Sequence, residues 1–110
     1  MPFENIEDMM IDGTFKGVPC GAAPFPLGRI GEKKWNAILG DLPLPLAVIK
    51  KTALDGNLDW MRRFSTANGV RIAPHGKTSM SPQIFRRQFD AGAWAITLAS
   101  VSEVRVARRF

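Results

Sequence analysis

The stretch "VRIAPHGKTSMSP", Val70 to Pro82, sets Lys77 directly after a short apolar run and directly before a helix-start signal. A lysine amine at such a junction can add to an aldehyde and form a Schiff base, so that a bound cofactor carries the subsequent chemistry. In parallel βα folds the reacting groups gather at the C-terminal ends of the strands, and Lys77 follows "VRIA" by a few residues. The expectation is a partly buried lysine with His75 and Arg71 nearby, because desolvation and like charge favour the neutral, reactive amine. The alternative from position alone is an ordinary exposed loop lysine, since strand-to-helix loops are commonly polar.

Other chemistries fit the residues less well. "GKT" is the tail of a nucleotide phosphate loop, but the first glycine of that motif would have to stand where Arg71 is, and Pro74 removes a backbone donor such a loop needs. His75 is the only histidine, which argues against any histidine-based triad or multi-histidine metal site built from this chain alone; a backbone-bonded loop histidine is its simpler reading. The single cysteine, Cys20, cannot form an internal disulfide and has no His or Cys at zinc-ligand spacing. No metal site is expected within this chain.

The elements that must position Lys77 follow from periodicity and capping. "LAVIK" (46–50), "VRIA" (70–73) and "WAITLA" (94–99) are short apolar runs with strand character. Leu54, Leu58, Met61 and Phe64 or Ser65 form an apolar stripe on a helix that stops at Asn68-Gly69. Ser81-Pro82 is an N-cap and N1 pair for a second helix running to about Ala91, with Gly92 as its stop. Ser100 and Glu103 have capping-box spacing for a third. Strand and helix alternate, which predicts an α/β fold with a parallel sheet covered by helices. Residues 1–45 hold most of the prolines and read as an irregular Pro/Gly-rich leader with at most one short helix, near Glu32 to Leu39.

Composition narrows the class without choosing a ligand. The 110 residues are 45% hydrophobic and 23% charged, ordinary for a globular chain, and 15 Lys and Arg against 10 Asp and Glu give a formal charge of +5. Six of the fifteen basic residues come in helical pairs (Arg62-Arg63, Arg86-Arg87, Arg108-Arg109), and a solvated helix face explains most of the charge. The tryptophans and phenylalanines are scattered as core residues, without the aromatic and basic interleaving that grips single-stranded nucleic acid, so no nucleic-acid partner is expected. The longest apolar run, "PLPLAVI", is far short of the roughly 18 residues of a membrane helix, and the N-terminus lacks a basic signal region. No membrane partner is expected, and a cytoplasmic location is.

The segments "PLPLAVIKKTALDGNLDWM" and "GVRIAPHGKTSMSPQIFRRQFDAGAWAITLASVSEVRVA" resemble the start of the fold type III, alanine-racemase-like pyridoxal-phosphate enzymes. Within them the likeness is to the D-threonine aldolase and D-serine dehydratase group, including the members called amino acid deaminase. The resemblance is carried by P-H-x-K-T, the following S-P-x-I-x-R-x-Q, then A-G-A and I-T-x-A in order, and it covers residues 42–110. It implies that Lys77 forms the Schiff base with pyridoxal 5'-phosphate, with His75 and Thr78 shaping the cofactor pocket. The implied activity is that of a D-amino acid lyase, deaminase or aldolase, with the cofactor as electron sink.

The resemblance also implies a fold of which this chain holds only a part. Family members carry a (β/α)8 TIM-type barrel of about 250 residues, and residues 46–110 match the first part of it. The expectation is a fragment whose parent is the enzyme, a homodimer acting on a small D-amino acid, in which a divalent metal is bound by ligands outside this chain. The fragment alone is expected to be inactive and, with uncovered apolar faces, prone to self-association. A basic binding module that reuses a barrel fragment is the alternative.

Overall fold

The computed structural model describes residues 5–110, so the first residues of the leader, Pro2 among them, lie outside the described part. The described residues fall into two compact units, one ending at Val48 and the other spanning Ile49 to Phe110.

The first unit has a core that its proline and glycine content concealed. Strands β1 (Met10–Ile11) and β2 (Phe25–Pro26) pair antiparallel, Ile11 opposite Phe25. Ile11, Val18 and Phe25 are buried together, and Ala22, Leu27 and Trp35 pack on them. Burial of each large side chain contributes about 1.5–3 kcal/mol, and the Phe25 and Trp35 rings meet edge to face at 5.7 Å. The expected helix at 32–39 does not form. A 3-10 helix occupies Leu27–Lys33 instead and stops at Lys34, whose φ is 52°. Beyond it, the Asn36 side chain accepts from the Ile38 amide at 2.8 Å and Asp41 Oδ2 accepts from the Asn36 amide at 2.8 Å. Those side chains satisfy the backbone locally and hold a turn where a helix would need the same amides.

The second unit carries three α-helices: α1 (Lys51–Ala67), α2 (Pro82–Asp90) and α3 (Val101–Arg109). Helix α1 has no side-chain N-cap at Lys50. Its exposed face is laced instead by Lys51 to Asp55 and by Asp59 to Arg62 and Arg63, all at helical spacing. Both α1 and α2 end in a Schellman motif. After α1 the Gly69 amide donates to Thr66 and the Val70 amide to Ser65; after α2 the Gly92 amide donates to Phe89 and the Ala93 amide to Gln88. Gly69 (φ 62°) and Gly92 (φ 93°) occupy the left-handed position that this motif requires and that a side chain resists. Ser81 and Ser100 cap α2 and α3 as their spacing predicts, accepting from the Ile84 and Glu103 amides. Glu103 Oε2 reaches back to the Ala99 amide at 2.7 Å.

The three expected strands form only in part. Residues 46–50 make no strand, since a strand exists by virtue of a partner and this run has none among the described residues. The other two form no strand of their own, but a parallel bridge joins His75, two residues past the 70–73 run, to Thr97 of the 94–99 run, with Thr97 N–H donating to Pro74 and Gly76 N–H donating to Thr97, each at 2.8 Å. The ladder does not extend backward, for two reasons. Continuation would need an amide at position 74, where proline has none. The next bond toward the N-terminus also runs from Trp94 to Ile72, so three steps along one run face two along the other, as in a bulge. Helix α2 crosses between the two parallel segments, as a parallel pair requires.

Candidate functional site

The turn after the bridge holds the three predicted site residues together. Gly76, Lys77 and Thr78 form a single 3-10 turn capped by His75, whose Nδ1 accepts from the Lys77 amide at 3.3 Å. Thr78 Oγ1 donates to the His75 carbonyl at 3.4 Å. With Nδ1 committed to the backbone, the neutral imidazole offers its other nitrogen as an N–H donor. The turn closes through the Ser79 and Met80 amides, which donate to the Gly76 carbonyl at 3.2 and 2.9 Å. Met80 stands at φ 43°, a left-handed conformation that costs an L-residue about 1–2 kcal/mol.

Lys77 itself differs from the expectation of partial burial. It is exposed, as are His75 and Thr78, and its Nζ makes no ion pair or hydrogen bond among the described residues. Its neighbours in sequence do not cover it. Arg71, expected to contribute a nearby cation, lies with its guanidinium over the Trp94 ring, 4.9 Å from the centroid. That contact accounts for the cation in a different way.

Three features of this unit were missed at the level of sequence. Thr97, read only as part of an apolar run, makes the bridge and donates from Oγ1 to the Ala73 carbonyl at 3.0 Å. Phe85, read as one of several apolar residues on α2, is 6% exposed. Asp55 on α1 pairs with Arg87 on α2, joining two helices that sequence spacing alone could not associate. The Lys51 ammonium, and to a lesser extent Arg87, holds the Asp55 carboxyl below the usual range. Arg62, Arg63 and Arg87 are therefore engaged with Asp59 and Asp55 rather than standing as an unpaired basic face.

A cavity of about 610 Å³ lies elsewhere in this unit, between the Leu54, Leu58 and Met61 face of α1 and the Val70 to Pro74 run. Lys77 is not among its walls, so the cavity does not surround the amine. Among the described residues no three His, Cys, Asp or Glu side chains cluster as metal ligands, and no helix is long and apolar enough to cross a membrane.

No protein-family model matches the chain. The chain is 39% identical over 62 residues to D-threo-3-hydroxyaspartate dehydratase from Delftia sp. (strain HT23), a match covering 56% of this chain and 16% of that protein's length.

Proposed function

We propose that this chain contributes the cofactor-attachment segment of a pyridoxal-phosphate-dependent lyase acting on D-amino acids that carry a β-hydroxyl group. The observation that carries the reading is Lys77: a primary amine without a partner among the described residues, on a turn fixed by the His75–Thr97 bridge, inside a P-H-G-K-T motif. The similarity to a dehydratase supports elimination of water over the retro-aldol branch of the same group.

The residues present fit one end of such a cofactor. The free Nζ of Lys77 suits its aldehyde, while the exposed turn supplies no enclosed cradle for its ring or phosphate. The (β/α)8 barrel that would complete the pocket is part of this proposal, supported by the parallel bridge and the α2 crossover. When bound, the cofactor supplies an aldehyde that accepts an amine and a ring that withdraws electrons from the substrate Cα. Lys77 would hold it through Nζ and, once released, would be the base for the substrate Cα proton. The overall reaction on this reading would remove the β-hydroxyl as water together with the Cα proton, and hydrolysis would then give a 2-oxo acid and ammonia. His75 holds the Lys77 amide, and Thr78 braces the same turn through the His75 carbonyl.

The test is an absorbance scan of the chain with added pyridoxal phosphate beside its Lys77→Ala variant. A visible band that survives dialysis and requires Lys77 is the expected result; equal bands from the two proteins would remove the basis of the reading.

A further inference from the structure

The buried residues of the Ile49–Phe110 unit are Gly76 and Phe85, and they lie against each other. A Cβ built on Gly76 would stand 2.8 Å from Phe85 Cε1 and Cζ and 2.7 Å from Ile96 Cγ2, closer than real Cβ atoms approach. The Phe85 ring and the Ile96 branch thus occupy the place of a side chain at position 76. Both polar groups of Gly76 are also used, its N–H on Thr97 and its carbonyl by Ser79 and Met80. In a unit whose other side chains are at least partly exposed, burial is concentrated one residue before Lys77.

We infer that Phe85, seconded by Ile96, is the positioning residue for Lys77: its ring seats Gly76 and so fixes the turn from which the amine projects. This rests on the reading of Lys77 as the cofactor lysine for its chemical consequence, but the seating itself is a property of the fold. Phe85 acts through Gly76 and touches neither the amine nor a substrate. Helix α2 is the lever, since Ser81 caps it and Arg87 ties it to α1, which places Phe85 at a set depth. A methyl group at position 76 has to push the turn outward, because a phenyl ring and a β-branch yield little.

The experiment compares amide hydrogen exchange and pyridoxal-phosphate capture in the full chain and in Gly76→Ala, Phe85→Leu and the double variant. Gly76→Ala is expected to speed exchange at position 76 and at Thr97 by about tenfold relative to α1 amides, the scale of an overpacked site. Adding Phe85→Leu, which removes Cε1 and Cζ from the collision, is expected to restore much of that protection. Borohydride-trapped cofactor at Lys77, measured against Lys51 of the same chain, is expected to fall and recover in parallel. General loosening would speed α1 amides equally and would give no recovery, and either result overturns the inference. If Gly76→Ala does not fold, Phe85→Leu alone decides: selective loss of protection at Gly76 and Thr97 upholds the seating, and unchanged protection refutes it. Absence of any preference for Lys77 over Lys51 in the parent chain would count against the cofactor reading while leaving the exchange result to judge the seating.

Discussion

His75 and Thr97 stand side by side across a parallel bridge, with the Thr97 amide on the Pro74 carbonyl and the Gly76 amide on the Thr97 carbonyl, both at 2.8 Å. Thr97 adds a side-chain bond to the Ala73 carbonyl at 3.0 Å. Thr97→Val keeps the shape and the backbone bridge and removes only that bond. The expected loss is about 0.5–1.5 kcal/mol of unfolding free energy, to be read from urea denaturation, with the Gly76 amide still protected from exchange.

The Asp55 carboxyl, drawn below the usual range chiefly by its hydrogen bond to Lys51 and further by Arg87, links α1 to α2. A carboxyl depressed in the folded state adds stability above its unfolded value, about 3.9, and that stability is lost as pH falls through the lower folded value. Thermal midpoints measured from pH 7 downward should therefore decline less for Asp55→Asn than for the parent chain below about pH 4. At neutral pH the variant should be the less stable of the two.

Helix α3 depends on its first turn. Ser100 Oγ accepts from the Glu103 amide at 3.3 Å, and Glu103 Oε2 accepts from the Ala99 amide at 2.7 Å. Ser100→Ala should lower stability by about 1 kcal/mol, measured by thermal circular dichroism, and Ser102→Ala, which removes no such cap, should cost less.

Exposed apolar side chains predict association. Trp60 and Phe64 stack at 5.4 Å on the open side of α1, 55% and 46% exposed, and Ile38 is 94% exposed. Sedimentation of the 110-residue chain should show concentration-dependent assembly. Trp60→Gln with Phe64→Gln should raise the monomer fraction while α1 remains helical.

Helix boundaries were readable in the sequence because their signals are local. Ser81-Pro82, Ser100, and the glycines at 69 and 92 each act within a few residues and do in the structure what their type predicts, while Glu103 reaches one residue past the cap to the Ala99 amide. The apolar runs were harder to interpret, since pairing depends on a distant partner: the bridge falls at His75, just past the 70–73 run, opposite Thr97 of the 94–99 run, whereas 46–50 has no partner among the described residues. Position 74 illustrates the limit. Pro74 was legible as an end to the run, but its cost to the ladder becomes visible only once Thr97 is opposite. Lys77, His75 and Thr78 were legible as a cluster because they are consecutive or nearly so. The seating of Gly76 on Phe85 was not, because nothing in either residue's neighbourhood names the other. The leader's core escaped for the same reason, its members Ile11, Val18 and Phe25 being joined by turns rich in residues that suggest irregular chain.

The most direct test of the central claim is to incubate the chain with pyridoxal phosphate, reduce with borohydride, and map the modified lysine by peptide mass spectrometry. The account predicts that Lys77 carries more label than any other lysine, and that a D-amino acid with a β-hydroxyl, added before reduction, removes label from Lys77 selectively. Label spread evenly over Lys16, Lys33, Lys51 and Lys77, indifferent to the amino acid, would contradict it.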